Sequence, residues 1–172
     1  MNRALAIACV LSMVGVAACA QPAANPALNT PFKWPTFDEA VAAAAETGKP
    51  ILIDIYAPWC GWCARMQAEV YGNETLALYV RERFEYGRLN IDDGETKHVF
   101  RDFELTSQEL GYALGAQGTP TTVFMAGNTD FITKLDGYWD LESFGPALKY
   151  IGSGAYRTQS YEDYTESVSA SF

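Results

Sequence analysis

A cysteine motif that directly follows an apolar, strand-like segment constrains this sequence more than any other feature. Residues Ile51 to Ala57 form a nearly continuous apolar run, broken by Asp54, as expected of a central strand buried on both faces. The sequence Trp59-Cys60-Gly61-Trp62-Cys63 follows at once, and a helical pattern then continues to about Val70. We therefore expect both cysteines to lie where a strand ends and a helix begins.

The two cysteines are suited to exchange a disulfide with another protein. Unpaired N–H groups and the dipole at a helix N-terminus stabilise negative charge, so we expect Cys60 to be the attacking thiolate. Cys63 lies one turn later on the same face and can resolve a mixed disulfide. Gly61 keeps the turn small enough for a substrate to approach. We predict no cofactor beyond the redox-active disulfide Cys60–Cys63.

Two other roles of the cysteine pair stay open at this point, a structural disulfide and a metal site. A disulfide across so short a loop constrains the unfolded chain only weakly. Zinc prefers four ligands, and the chain after the export signal offers two cysteines and His98, which we expect at the surface. Two thiolates would instead suit Cu(I) in a metal-carrying module. We predict that the site holds no metal.

Asp54 is an acidic residue within the apolar strand. A buried carboxylate is costly unless it has partners or a task, and we expect burial to raise the pKa of Asp54. A carboxyl group with a raised pKa is suited to exchange a proton with Cys63 while the disulfide opens and closes. The alternative is a position at a strand edge, with both carboxylate oxygens in water.

The first twenty residues have the pattern of an export signal. Arg3 is the only charged residue among them, and the apolar run Ala4 to Ala18 is too short to span a membrane. The sequence Val16-Ala17-Ala18-Cys19 resembles a bacterial lipobox, which predicts that Cys19 becomes the lipidated first residue; ordinary cleavage after Ala20 is the alternative. Both interpretations imply export, so we expect a periplasmic protein, anchored to the membrane if Cys19 carries a lipid.

The rest of the chain is organised as one domain between a linker and an extension. Residues 21–35 are rich in Ala, Pro and Asn and predict a linker, in which Phe32 and Trp34 are expected to cover an edge of the core. Residues 36–152 carry the periodic segments, and residues 153–172 predict a C-terminal extension, docked or free. The periodic segments occur in the order helix, strand, helix, strand, helix, hairpin, helix. This order predicts an α/β fold with a mixed central sheet and helices on both faces.

Two local predictions concern the second half of this domain. Residues 92–103 are polar and predict an irregular segment, after which Thr106 and Glu109 fit a capping box that opens a short helix. Pro146 would interrupt the last helix, so we expect its regular part to begin near Ser143.

Composition limits the classes of partner. The chain has 172 residues, of which 49% are hydrophobic, and can bury the core of one domain. Its net charge of −9, without a basic run, argues against binding to nucleic acid or to an anionic membrane surface. We expect a monomer whose partners are protein disulfides or dithiols.

Three segments, taken in order along the chain, resemble the thioredoxin family. They are Ile51–Cys63, Arg88–Asp92 and Gly118–Pro120, and Gly137 resembles a further family glycine. The resemblance extends over about residues 36–151. It implies the thioredoxin fold, with a cis peptide bond before Pro120 and that proline packed against the cysteine pair.

The resemblance also implies roles for individual residues. Thr119 would pair through its backbone with an extended substrate segment, and Asp54 matches the family's buried acid, with Arg88 where thioredoxin has a lysine. Trp59 and Trp62 flank the cysteines and predict an apolar docking surface, although Trp62 could equally pack on its own domain. The residues expected to contact substrate are Trp59, Gly61, Trp62, Thr119 and Pro120.

The sequence departs from thioredoxin between the cysteines and before Pro120. The dipeptide Gly61-Trp62 replaces Gly-Pro, and this dipeptide tunes the reduction potential. Extra residues, including the capped helix, form a helical insertion before the strand that begins after Pro120. Together with the export signal, these features resemble the periplasmic SoxW-type thioredoxins of the sulfur-oxidation system.

The resemblance implies an exported enzyme that reduces protein disulfides and receives its electrons from a membrane conduit of the DsbD or CcdA kind. A dithiol oxidase or isomerase of the same fold is one alternative, and a cysteine-based metallochaperone is another. The reduction potential discriminates between reductant and oxidant, since about 30 mV corresponds to roughly 1.4 kcal/mol for this two-electron couple.

Overall fold

A four-stranded mixed sheet lies at the centre of residues 32–167, the part of the chain that this computed structural model describes. The strands are β1 (Ile51–Tyr56), β2 (Glu85–Asn90), β3 (Lys97–Phe100), β4 (Phe103–Thr106), β5 (Thr121–Met125) and β6 (Phe131–Asp136). The helices are α1 (Phe37–Thr47), α2 (Gly61–Met66), α3 (Glu74–Arg83), α4 (Ser107–Ala113), α5 (Leu141–Gly152) and α6 (Tyr161–Ser167). The sheet has the order β2-β1-β5-β6; β1 and β2 are parallel, and β5 is antiparallel to both neighbours. The predicted mixed sheet and the predicted hairpin, formed by β5 and β6, are confirmed.

Helices cover both faces of the sheet, as predicted, and β1 separates two cores. Ile51, Ile53 and Ile55 contribute to a core with α1 and α4, whereas Leu52 belongs to a second core with α3 and α5. Because successive side chains on a strand alternate between faces, Asp54 lies on the same face as Leu52. Burial on both faces explains why the sequence of β1 is apolar almost throughout.

The helix predicted after the cysteines is present, but its last turn is not α-helical. Helix α2 continues directly into a π-helical segment, Gln67–Tyr71. Gly72 ends it, where a Cβ atom would lie 2.4 Å from the carbonyl oxygen of Ala68. The Asn73 side chain then accepts a hydrogen bond from the Leu76 N–H at 3.0 Å and caps α3.

The prediction of an irregular segment over residues 92–103 is wrong in its second half, where β3 pairs with β4 in an antiparallel hairpin. Arg101 forms the turn at a φ of 56°, a conformation usually marked in sequence by glycine. His98 in β3 is buried and does not lie at the surface as expected. Its Nδ1 is 2.9 Å from Asp38 Oδ2 and its Nε2 is 2.7 Å from Ser107 Oγ, so both ring nitrogens keep a partner.

The insertion before Pro120 therefore consists of this hairpin together with the predicted helix. Thr106 accepts a hydrogen bond from the Glu109 N–H at 3.2 Å, and the Glu109 carboxylate accepts one from the Thr106 N–H at 2.8 Å. This reciprocal pair confirms the predicted capping box at the start of α4.

Helix α5 begins earlier than predicted. It starts at Leu141, because the Asp140 side chain accepts a hydrogen bond from the Ser143 N–H at 2.8 Å and caps the first turn. Pro146 lies inside the helix. The prediction of a later start was wrong because a proline in the helix removes a single backbone hydrogen bond, and apolar burial of α5 compensates for it.

The chain on either side of the predicted domain packs onto it. The Arg88 N–H donates to the Pro35 carbonyl oxygen at 3.0 Å, so residues 32–35, assigned to the linker from the sequence, run beside β2. After α5, Tyr164 of α6 is buried and lies 5.3 Å from the Tyr150 ring centroid. The extension is thus docked through α6.

The predicted export signal, including Cys19, and residues 21–31 of the predicted linker lie outside the described residues, as do residues 168–172. Within residues 32–167, no helix combines the length and the apolar composition that crossing a membrane requires.

Candidate active site

Cys60 and Cys63 are joined by a disulfide bond at the start of α2. Their Cα atoms are 5.2 Å apart, and both residues are almost fully buried. Cys60 is the N-cap residue of α2, and its Sγ accepts a hydrogen bond from the Cys63 N–H at 3.0 Å. A backbone N–H directed at the Cys60 sulfur is suited to stabilise a thiolate there once the disulfide is reduced.

Asp54 forms a buried ion pair with Arg88. The parallel register of β1 and β2 places the two residues opposite one another, and Arg88 Nε donates to Asp54 Oδ2 at 2.9 Å. Burial raises the pKa of Asp54, and the charge and hydrogen bond of Arg88 offset this only in part. The burial and the direction of the pKa shift agree with expectation. The role in proton exchange stays a prediction, since the hydrogen-bond partner of Asp54 is Arg88 and not Cys63.

A second buried polar pair, which the sequence did not predict, lies next to Asp54. Thr122 is opposite Asp54 in the antiparallel register of β1 and β5, and its Oγ1 is 3.0 Å from Tyr71 Oη. Burial raises the pKa of Tyr71 well above its ordinary value, and the negative charge of Asp54 raises it further. The phenol therefore stays neutral. The one sequence feature that could have indicated this buried polar pair is the presence of two threonines in the otherwise apolar β5.

The exposed tryptophans that flank the disulfide are each held by a neighbour. Trp59 is 58% exposed, and its Nε1–H donates to an oxygen of Asp92. Trp62 is 55% exposed, yet its ring lies 5.4 Å from the Tyr138 ring centroid and 5.4 Å from the Arg65 guanidinium. Trp62 thus combines the two expected behaviours, because it contacts its own domain and still exposes half of its surface.

The peptide bond between Thr119 and Pro120 is cis, as the resemblance implies. Pro120 is buried and Thr119 is half-buried. The Pro120 carbonyl oxygen accepts a hydrogen bond from the Gly137 N–H at 2.8 Å, and Thr121 Oγ1 donates to the Gly118 carbonyl oxygen at 2.9 Å. These bonds hold the loop that leads into β5. Gly137 has a φ of 78°, which explains the need for glycine there.

Comparison with known proteins agrees with this geometry. Residues 37–152 match the family described as thioredoxin-like domain. The chain belongs to this family. A protein disulfide-isomerase of Neurospora crassa is 31% identical over 108 residues, which cover 62% of this chain and 25% of that protein. A thioredoxin of Alicyclobacillus acidocaldarius is 30% identical over 105 residues, which cover 61% of this chain and 84% of the thioredoxin.

A solved structure supports the same fold for this thioredoxin-like protein. A thioredoxin-fold protein from Helicobacter pylori superposes with a TM-score of 0.57 at 25% identity, over 70% of this chain and 80% of its own. The predicted thioredoxin fold is therefore confirmed. The chain spans a quarter of the length of the isomerase it matches (25%).

Three further residues, grouped around Trp62 of this thioredoxin-like domain, were not predicted. Arg65 Nε is 2.9 Å from Glu69 Oε2, and Tyr138 Oη donates to the same carboxylate at 2.6 Å. The hydrogen bond from Tyr138 lowers the pKa of Glu69, so this carboxylate is ionised. Tyr138 lies 69 residues after Glu69 in the chain, so its contact with this carboxylate leaves no local signal in the sequence. Among residues 32–167, no three His, Cys, Asp or Glu side chains converge as metal ligands would.

Proposed function

We propose that this thioredoxin-like protein is an exported thiol–disulfide oxidoreductase that reduces disulfides in other proteins. The observation that carries the proposal is the Cys60–Cys63 pair at the start of α2, with the Cys63 N–H directed at the Cys60 sulfur. A helix N-terminus stabilises the thiolate form of its capping cysteine, and the thiolate is the reactive form in disulfide exchange.

The reaction consists of two exchanges that together transfer two electrons. In the dithiol form, the Cys60 thiolate attacks one sulfur of a substrate disulfide, forms a mixed disulfide and releases the other substrate sulfur as a thiolate. The Cys63 thiolate then attacks Cys60 Sγ. This step forms the Cys60–Cys63 bond and releases the second substrate sulfur, so that the substrate gains two electrons and the enzyme loses them.

Asp54 is the proposed base for the second exchange. Cys63 must lose its proton before it attacks, and Asp54 lies on the strand that leads into the cysteine motif. A carboxyl group whose pKa is raised by burial takes up this proton more readily than an exposed one.

The proposed substrate surface surrounds the disulfide. Trp59 and Trp62 expose apolar area on which a partner can dock, and Gly61 between the cysteines adds no side chain to obstruct it. Thr119 precedes the cis Pro120 and offers its backbone to an extended substrate segment, in the manner of an added strand.

Export determines the proposed electron donor. The predicted signal sequence places the protein in the periplasm, anchored there if Cys19 carries a lipid, and cytosolic reductants do not reach that compartment. A membrane conduit of the DsbD or CcdA kind therefore returns the Cys60–Cys63 bond to the dithiol. A SoxW-type role in sulfur oxidation is the finer form of this proposal, supported by the export signal and the insertion before Pro120.

The opposite direction, dithiol oxidation or isomerisation, is a second candidate, and the name of the Neurospora crassa relative favours it. The reduction potential of the Cys60–Cys63 couple separates the two. A value of about −270 mV is typical of a reductant, and one of about −120 mV is typical of a strong oxidant.

Capture of mixed disulfides in the native envelope tests the proposed order of attack. Cys63→Ser should accumulate disulfide-linked partners through Cys60, because the resolving thiol is missing, whereas Cys60→Ser should accumulate none. Reductant should release the partners, and their identification names substrate and donor. Equal capture by both variants would contradict the assigned roles, and a wild-type protein that cannot cycle between dithiol and disulfide would exclude the function.

A further inference from the structure

Trp34 contacts two parts of the active site from a segment that precedes the first helix. Its Nε1–H donates to Gln67 Oε1 at 2.7 Å. Its ring centroid lies 5.5 Å from the Arg88 guanidinium and 4.8 Å from the Tyr71 ring centroid. Trp34 is half-buried, so one part of the indole reaches solvent while the rest covers these groups.

The Arg88 guanidinium is held between the ion pair and aromatic rings. Its Nε donates to Asp54, and its central carbon lies 3.9 Å from the Tyr56 ring centroid. Aromatic faces stabilise a guanidinium, and they do so more strongly where water is excluded. The Arg88 side chain is 10% exposed and the Asp54 side chain 3%, so the rings of Tyr56 and Trp34 form part of the barrier between this ion pair and solvent.

Gln67 extends the contact to the cysteine helix. It is fully buried and is the first residue of the π-helical segment, one turn beyond Cys63. The Trp34–Gln67 hydrogen bond therefore connects the segment before α1 to the helix that carries the resolving cysteine. The Trp34 indole thus lies against Arg88, the ion-pair partner of Asp54, and is hydrogen-bonded to a side chain in the segment that continues the Cys63 helix.

We propose that Trp34 is a positioning residue for disulfide exchange. Its indole keeps water from the Asp54–Arg88 pair and holds the helix that carries Cys63 next to that pair. This inference rests on the proposed function through the role of Asp54. The charged and titratable groups that face Asp54 are Arg88 from β2 and Tyr71 from the π-helical segment, while β5 places the uncharged Thr122 opposite it.

The expected effect of Trp34→Ala has a definite sign. Removing the indole admits water to the Asp54 carboxylate and weakens the burial that raises the pKa of Asp54, so this pKa should fall. The titration of Asp54 should therefore shift to lower pH. Because Asp54 acts as a base, the acidic limb of the pH profile of turnover should move to lower pH by the same amount.

Two measurements on the full chain test the proposal. Carboxyl carbon NMR of the oxidised protein reports the titration of Asp54 without any turnover, and insulin reduction across a pH series reports kcat and KM. Trp34→Phe keeps a ring but removes the hydrogen bond to Gln67, and should give a smaller shift than Trp34→Ala. Trp139→Ala is the matched control, because Trp139 is also half-buried and its Nε1–H donates to the Asp136 carbonyl oxygen at 3.1 Å, away from Arg88.

The possible outcomes separate this inference from the proposed function. A lowered Asp54 titration and a shifted acidic limb in folded Trp34→Ala, with neither in Trp139→Ala, support it. An unchanged titration, or a rate that drops equally at all pH values, would overturn it while leaving the proposed function intact. If Trp34→Ala does not fold, the titration of Trp34→Phe decides in the same way. Absence of turnover in the wild-type protein would instead refute the proposed function.

Discussion

Replacing Asp54 by asparagine should change how the stability of the protein depends on pH. The Asp54 side chain is 3% exposed and lies 2.9 Å from Arg88 Nε. Opposite charges about 4 Å apart gain roughly 4 kcal/mol at an effective dielectric constant of about 20, whereas burying each ion costs several kcal/mol. The two effects are thus of similar size. Burial is the larger one here, and it raises the pKa of Asp54 in the folded protein.

Proton linkage then determines the sign of the effect. In the unfolded chain Asp54 titrates near its ordinary pKa of about 3.9. Between that value and the raised pKa of the folded state, the folded protein binds one more proton than the unfolded chain. The contribution of Asp54 to the free energy of unfolding is therefore complete below about pH 3.9 and falls as pH rises through the folded pKa, by up to about 1.4 kcal/mol per pH unit.

Urea unfolding of the oxidised wild-type and Asp54→Asn proteins, at a series of pH values, measures this contribution. The unfolding free energy of the wild type minus that of Asp54→Asn should decrease as the pH rises, and should level off above the pKa that Asp54 has in the folded protein. The loss of a partner for Arg88 adds an offset, which does not change the slope because arginine stays charged throughout. A difference that stays constant would show that attraction by Arg88 cancels the effect of burial, and one that grows with pH would show that it outweighs burial; either result would refute the reasoning.

Two further substitutions test contacts outside the site. Gly87→Ala should lower the free energy of unfolding by about 1–3 kcal/mol, because the added Cβ would lie 2.6 Å from the Thr36 carbonyl oxygen; Gly94→Ala, where nothing lies within 4 Å, is the control in urea unfolding. Ser107→Ala leaves the buried His98 Nε2 without its hydroxyl partner and should cost about 1–3 kcal/mol. Hydrogen exchange should then show faster opening of the β3–β4 hairpin than in wild type; unchanged protection there would argue against a role of this bond.

The part of the fold that could be predicted is the part with strong local patterns. The apolar run that becomes β1, the cysteine motif that follows it, and the capping box at Thr106 each depend on neighbours along the chain. The β3–β4 hairpin could not be predicted, since it lies outside the main sheet and its turn at Arg101 carries no glycine. Local patterns indicate helix starts and buried strands, but not the pairing of short strands outside the main sheet.

The candidate site divides in the same way. Cys60, Cys63 and Asp54 follow from spacing and from an acid in an apolar segment. The sequence places Trp34 in the predicted linker and predicts that it covers an edge of the core, but only the folded chain shows that it lies against Arg88. Contacts between residues that are distant in sequence leave no periodic trace. The sequence therefore predicts the candidate reacting groups, but not the side chains that enclose them.

The segment beside β2 also affects how separate molecules meet. The Pro35 carbonyl oxygen accepts a hydrogen bond from the Arg88 N–H, and Thr36 forms a β-bridge with the same residue. The edge strand β2 is therefore partly covered by the segment that precedes α1. The opposite border, β6, carries the ion pair between Lys134 and Asp136. Covered and charged borders discourage intermolecular strand addition, the first step of β-aggregation. Even at high local concentration, these two edges of the sheet therefore disfavour strand pairing between molecules.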